Sequence, residues 1–97
     1  MRISIKDPQL FSTIFKKVTN CDLDYPVTGL STDSREINKN DLFISIKGDH
    51  YDGNTFLNSV KKSRASAALV SKVDKKVNIQ QVAVKDPLKT ISEVAKL

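Results

Sequence analysis

The chain has 97 residues, 39% hydrophobic and 28% charged, the balance of one small soluble domain with a modest core and no apolar run long enough to cross a bilayer. Its net charge is +5, from 16 Lys and Arg against 11 Asp and Glu, which favours anionic partners such as phosphates, nucleic acid or an acidic membrane surface. One cysteine (Cys21) and one histidine (His50) exclude an internal disulfide and a multi-histidine metal site, and MRISIKDPQ lacks the apolar region of a secretory signal, so a reducing, cytoplasmic setting is expected.

Asp7-Pro8 reads as a helix start, because Asp can cap and Pro at the first helical position gives up no hydrogen bond. Phe11, Ile14, Phe15 and Val18 then recur on one helical face up to a stop at Asn20, which predicts a helix over 8–19. Val27 to Ser31 is a short strand leading into a polar turn, STDSR. In DLFISIK, Leu42, Ile44 and Ile46 alternate with Phe43 and Ser45, which predicts a strand over 41–47 with one face well buried, ended by Gly48. Asp52-Gly53-Asn54 is a turn, with Asp52 or Asn54 available to cap a helix over 55–64. AALVS, 67–71, is a buried strand parallel to its predecessor, and QVAV, 81–84, is the next strand. Asp86-Pro87 repeats the helix-start device, and Leu88, Ile91, Val94 and Ala95 share the face of a helix that runs uncapped to Leu97, as in a chain cut before its natural end. The resulting order is an α/β fold with helices packed on a small mixed sheet.

The sequence holds neither a phosphate loop nor a dinucleotide fingerprint. Asp33, Asp41, Asp49 and Asp52 could pair for acid–base work, yet each adjoins a predicted turn, where Asp is at home. Ser31, Thr32 and Ser34 offer adaptable hydroxyls, and Arg35 a planar fork for carboxylate or phosphate. Arg35 could equally pair with Asp33 or Asp41 inside a structural turn. After the DLFISIK strand, Lys47-Gly48-Asp49-His50-Tyr51 occupies a position where open α/β sheets bind ligands. There Gly48 permits close approach, Tyr51 or His50 can stack on a planar base, and Asp49 can accept from a base or sugar. The lysines are scattered and no aromatics interleave with them, unlike a nucleic-acid groove.

Together the two windows resemble the N-terminal domain of the Mur ligases. STDSR, a spacer, DLFISIKG and then DHYDGNTF follow the family pattern: a Thr/Ser-Asp-Ser-Arg turn, an Asp-Leu-Phe strand, then Gly and Asp-Gly before a helix. AALVS and QVAVKDPLKTISEVAKL extend the similarity, so that it runs from about Val27 to Leu97, and the residues before it match only loosely. The resemblance implies that residues 1–97 form a domain holding the UDP part of a UDP-N-acetylmuramoyl-peptide, within an ATP-dependent ligase of peptidoglycan precursors. Carried over by motif, it points to Thr32, Ser34, Arg35, Asp49, His50 and Tyr51 for uracil, ribose and pyrophosphate, and to Lys47 for pyrophosphate. The two polar windows are expected at opposite ends of a hairpin-like stretch, folding back to line one site. No catalytic residue, cofactor or metal is expected on this chain. ATP and Mg2+ belong to the full-length enzyme, whose central ATPase domain is an expected partner. KGDHYDG and the final helix look closer to the ligase that adds D-alanyl-D-alanine (MurF-type) than to the one that adds the third stem-peptide residue (MurE-type), which shares the same front end. Outside this family, the composition also suits a basic polyanion- or nucleic-acid-binding module, or an interaction domain with no small ligand.

Overall fold

The computed structural model describes residues 2–48 and 51–95. It begins with a short strand, β1 (Arg2–Ser4), and then α1 (Pro8–Thr19). The helix has the bounds and both caps that its sequence predicts. The Asp7 carboxylate accepts the Leu10 N–H at 3.1 Å, and Asn20 closes the helix in the left-handed region at φ 59°. Phe11 and Phe15 line its buried face, with ring centroids 5.9 Å apart.

The next elements are β2 (Gly29–Ser31), a 3-10 turn (Ser34–Glu36) and β3 (Asp41–Ile44). After these come β4 (Lys47–Gly48), β5 (Tyr51–Asp52), a second 3-10 turn (Gly53–Phe56) and α2 (Leu57–Lys62). The chain continues through β6 (Ala67–Val70), β7 (Gln80–Ala83) and α3 (Pro87–Ala95). The main sheet has the order β1-β2-β3-β6-β7, with β1 antiparallel and the remaining pairs parallel, while β4 and β5 form a separate ribbon. This is the expected α/β fold, a small mixed sheet flanked by helices, with β6 parallel to β3.

Alternate residues of β3 and β6 feed two cores. Leu42, Ile44, Ala67 and Leu69 pack with Phe11 and Phe15 of α1 and Ile91 and Val94 of α3. Phe43, Ala68 and Val70 point the other way, onto Leu57 and Val60 of α2. The expectation of a single buried face on the DLFISIK strand is therefore corrected: helices cover both sides, and 41–45 is buried throughout.

That strand is also shorter than expected. The Ser45 N–H still donates to Leu69 O at 2.9 Å, but the Ile46 carbonyl turns away to accept the Gly53 N–H at 2.8 Å. The chain then leaves the sheet for the ribbon, in which Lys47 pairs with Asp52. A Cβ at Gly53 would lie 2.8 Å from Ser45 Oγ and 2.9 Å from Ile46 N, so this close approach demands glycine. The second helix begins at Leu57 rather than at residue 55, because residues 53–56 tighten into the 3-10 turn, and it carries no side-chain cap. The predicted end of the last helix, at residues 96–97, lies outside the described residues.

Like β5, which takes in the Asp52 read as a turn residue, β1 is an element that the chain-order reading does not anticipate. Arg2 anchors it from a distance: Nε donates to Asp41 Oδ2 at 2.6 Å and Nη2 to Oδ1 at 2.7 Å. The Asp41 side chain has no solvent exposure, and its Oδ2 also accepts the Asn38 N–H at 2.9 Å. The pair spans Gly29, where a Cβ would stand 2.6 Å from Asp41 Oδ1.

Candidate functional site

β2, β3, β6 and β7 run parallel, so everything that follows them emerges at one edge of the sheet, the usual ligand edge of open α/β folds. Thr32 follows β2, Ser45 to Lys47 follow β3, Ser71 follows β6, and Lys85 comes shortly after β7. The two polar windows thus share an edge because their strands are parallel, with Leu30 paired to Leu42 and Ser31 to Phe43. The hairpin-like connection expected between them is not what forms.

Ser31 sits at the root of the first window and is buried. Its hydroxyl accepts the Asp33 N–H at 3.0 Å and donates to the Asp33 carbonyl at 3.1 Å, which fixes the turn. Asp33 then caps the 3-10 turn: its Oδ1 accepts the Arg35 N–H at 2.9 Å. The Arg35 guanidinium returns to the same carboxylate, Nε to Oδ1 at 3.0 Å and Nη2 to Oδ2 at 2.9 Å. Of the two pairings open to Arg35, the one with Asp33 forms, since Asp41 is committed to Arg2. The Arg35 side chain is 87% exposed, so an anion in solvent can reach it. Ser34 is half-buried within the same turn.

The Arg35 side-chain hydrogen bonds, and after them its backbone N–H, hold the Asp33 carboxyl well below the usual carboxylate range, at about 2. A depressed acid stabilises the fold above its unfolded value of 3.8, and that contribution is lost as pH falls through about 2. In the Arg35→Gln variant the Asp33 midpoint should rise toward 3.8, and the retained backbone N–H should keep it somewhat below that value. Carboxyl-carbon NMR checks this, and an unmoved midpoint would contradict the pairing.

Two grooves open at this edge. The first, of about 240 Å³, is largely apolar, with walls of Ile3, Leu30, Ile44, Leu88 and Ile91 and with Thr32 at its rim. The second, of about 510 Å³, is more polar and includes Ser45, Lys47, Ser71, Lys85 and Asp86. Leu88 borders both. The structure therefore sets Thr32 and Lys47 in adjoining grooves, with Ser34 and Arg35 in the turn beyond Thr32. Tyr51 is placed by its backbone in β5, opposite Gly48. Asp49 and His50 lie outside the described residues. Lys85 and Leu88 are among the groove-lining residues that the sequence reading did not single out for the site. Their signal was absorbed by the helix-start reading of KDPL.

No group of three or more His, Cys, Asp or Glu side chains able to hold a metal occurs among the described residues. No helix among the described residues is long and apolar enough to cross a membrane.

A model of the Mur ligase family, catalytic domain, matches residues 26–96. The UDP-N-acetylmuramoyl-L-alanyl-D-glutamate--2,6-diaminopimelate ligase of Fusobacterium nucleatum is 33% identical over 79 residues, which is 79% of this chain and 16% of the relative. The UDP-N-acetylmuramoyl-tripeptide--D-alanyl-D-alanine ligase of Escherichia coli is 32% identical over 73 residues, 74% of this chain and 16% of that one. Among solved structures, a UDP-N-acetylmuramoylalanyl-D-glutamyl-2,6-diaminopimelate--D-alanyl-D-alanyl ligase from Acinetobacter baumannii is similar with a TM-score of 0.72 at 20% identity. That match covers 84% of this chain and 20% of the solved one, and at this identity the likeness is one of fold. The chain spans about 16% of the length of these two curated relatives, which match it at nearly equal identity.

Proposed function

This chain belongs to the Mur ligase family, and from that membership we propose that it holds the uridine diphosphate end of a UDP-N-acetylmuramoyl-peptide. The observation that carries the proposal is the parallel pairing of β2 with β3, which brings the STDSR turn and Lys47 to one edge beside two adjoining grooves. The apolar groove suits the faces of a uracil ring, with the Thr32 hydroxyl at its rim for the polar edge of the base. Ser34 and the exposed Arg35 guanidinium, whose Nε–Nη2 edge Asp33 holds, supply donors to ribose and phosphate oxygens, and Lys47 supplies charge to the pyrophosphate. Asp49, His50 and Tyr51 join the proposal through the family motif.

The part this domain plays is to bind and orient. In the full-length ligase, ATP and Mg2+ would activate the stem-peptide carboxylate for attack by the incoming amine, and those groups would be held in a central ATPase domain, in the cytoplasm. Relatives that add diaminopimelate and relatives that add D-alanyl-D-alanine both carry UDP-N-acetylmuramoyl in their names. The proposal concerns that shared end, and the preference for the MurF-type over the MurE-type adds nothing to it.

Calorimetric titration tests it. The chain should bind uridine diphosphate, and Arg35→Met should weaken binding about tenfold with little change in melting temperature, as expected for one charge-assisted contact made from an exposed side chain. Equal affinity for adenosine diphosphate, declining steeply with salt, would point instead to a general polyanion surface.

A further inference from the structure

We infer that Lys85 forms, opposite Lys47, the wall of a subsite for the distal phosphate of a bound nucleoside diphosphate. The inference rests on the uridine-nucleotide reading and adds to it a residue and a groove that the family motif does not mark.

The groove lies where β3, β6 and β7 end and α3 begins. Lys47 borders it from β4 of the ribbon and Lys85 from the turn after β7 of the main sheet, so two lysines distant in sequence line one groove. Both side chains are exposed, and neither takes part in an ion pair among the described residues. Among the described residues Asp86 is the only acid in the lining, and it has other work. Its carboxylate accepts the Lys89 N–H at 3.2 Å and its carbonyl the Thr90 N–H at 2.9 Å, which caps α3. The helix end is thereby filled, and the attraction for an anion comes from the two lysines together with the exposed Ser71 hydroxyl. Leu88 joins this groove to the apolar one beside Thr32. A ligand with an apolar ring at one end and two phosphates at the other matches that sequence of surfaces: ring first, charge second.

The test compares uridine diphosphate with uridine monophosphate on the 97-residue chain. Lys85→Met should weaken the diphosphate about tenfold and the monophosphate by less than about twofold, so that the preference for the second phosphate collapses. Lys85→Arg should retain the preference, and Lys75→Met, at a lysine that lines neither groove, should leave both affinities alone. If the diphosphate binds and Lys85→Met does not selectively weaken it, the subsite is wrong while the uridine reading stands. If neither nucleotide binds the unaltered chain, both fall together.

Discussion

Asp41→Ala is expected to cost about 3 kcal/mol of folding stability, the low end for removing one partner from a buried ion pair, because the Arg2 side chain left behind is 23% exposed. The carboxylate is wholly buried and accepts three hydrogen bonds, two from the Arg2 fork and one from the Asn38 N–H. Its loss leaves the guanidinium without its carboxylate and the Asn38 amide without its acceptor. A chain of this size has roughly 5–15 kcal/mol in total, so the change removes about a fifth or more of it. β1 would suffer first, since among the described residues β2 is its only strand partner and Arg2 reaches past β2 to β3. Urea unfolding followed by circular dichroism suits a chain without tryptophan. A loss below about 1 kcal/mol would mean that the pair is a surface ornament rather than the anchor of β1.

Phe43→Ala is the second large effect, expected at about 3–5 kcal/mol. Phe43 is fully buried against Leu57 and Val60 on the α2 side of the sheet. It occupies the slot in the alternating pattern that a one-faced strand would leave open to solvent. Such a strand would tolerate alanine there, and a two-faced central strand cannot, because the cavity sits between layers that no neighbour can close. A change within about 0.5 kcal/mol would restore the one-faced reading.

The contrast between α1 and β1 shows what was legible and why. α1 carries its whole specification locally: Asp7, Pro8, one apolar face and Asn20. The structure returns it residue for residue. β1 does have a local signal, Ile3 and Ile5 alternating with Arg2, Ser4 and Lys6, but three residues cannot hold a strand by propensity. Its anchor lies 39 residues away in Asp41, a residue whose sequence context reads as a turn. The same holds at the site. The polar windows were visible as motifs, but their shared edge depends on β2 and β3 being parallel, and strand direction is not written in either segment. Lys85 was hidden because KDP spells a helix start so well that the lysine before it drew no notice. Only the topology brings it to the groove that Lys47 also lines.

The most direct test of the central claim is a uridine diphosphate titration followed by two-dimensional amide NMR, with adenosine diphosphate as the control. The account predicts saturable shifts clustered on Thr32 to Arg35, Lys47, Tyr51 and Lys85, absent with the adenine nucleotide. Shifts spread over the lysines at large, alike for any polyanion and erased by salt, would contradict it.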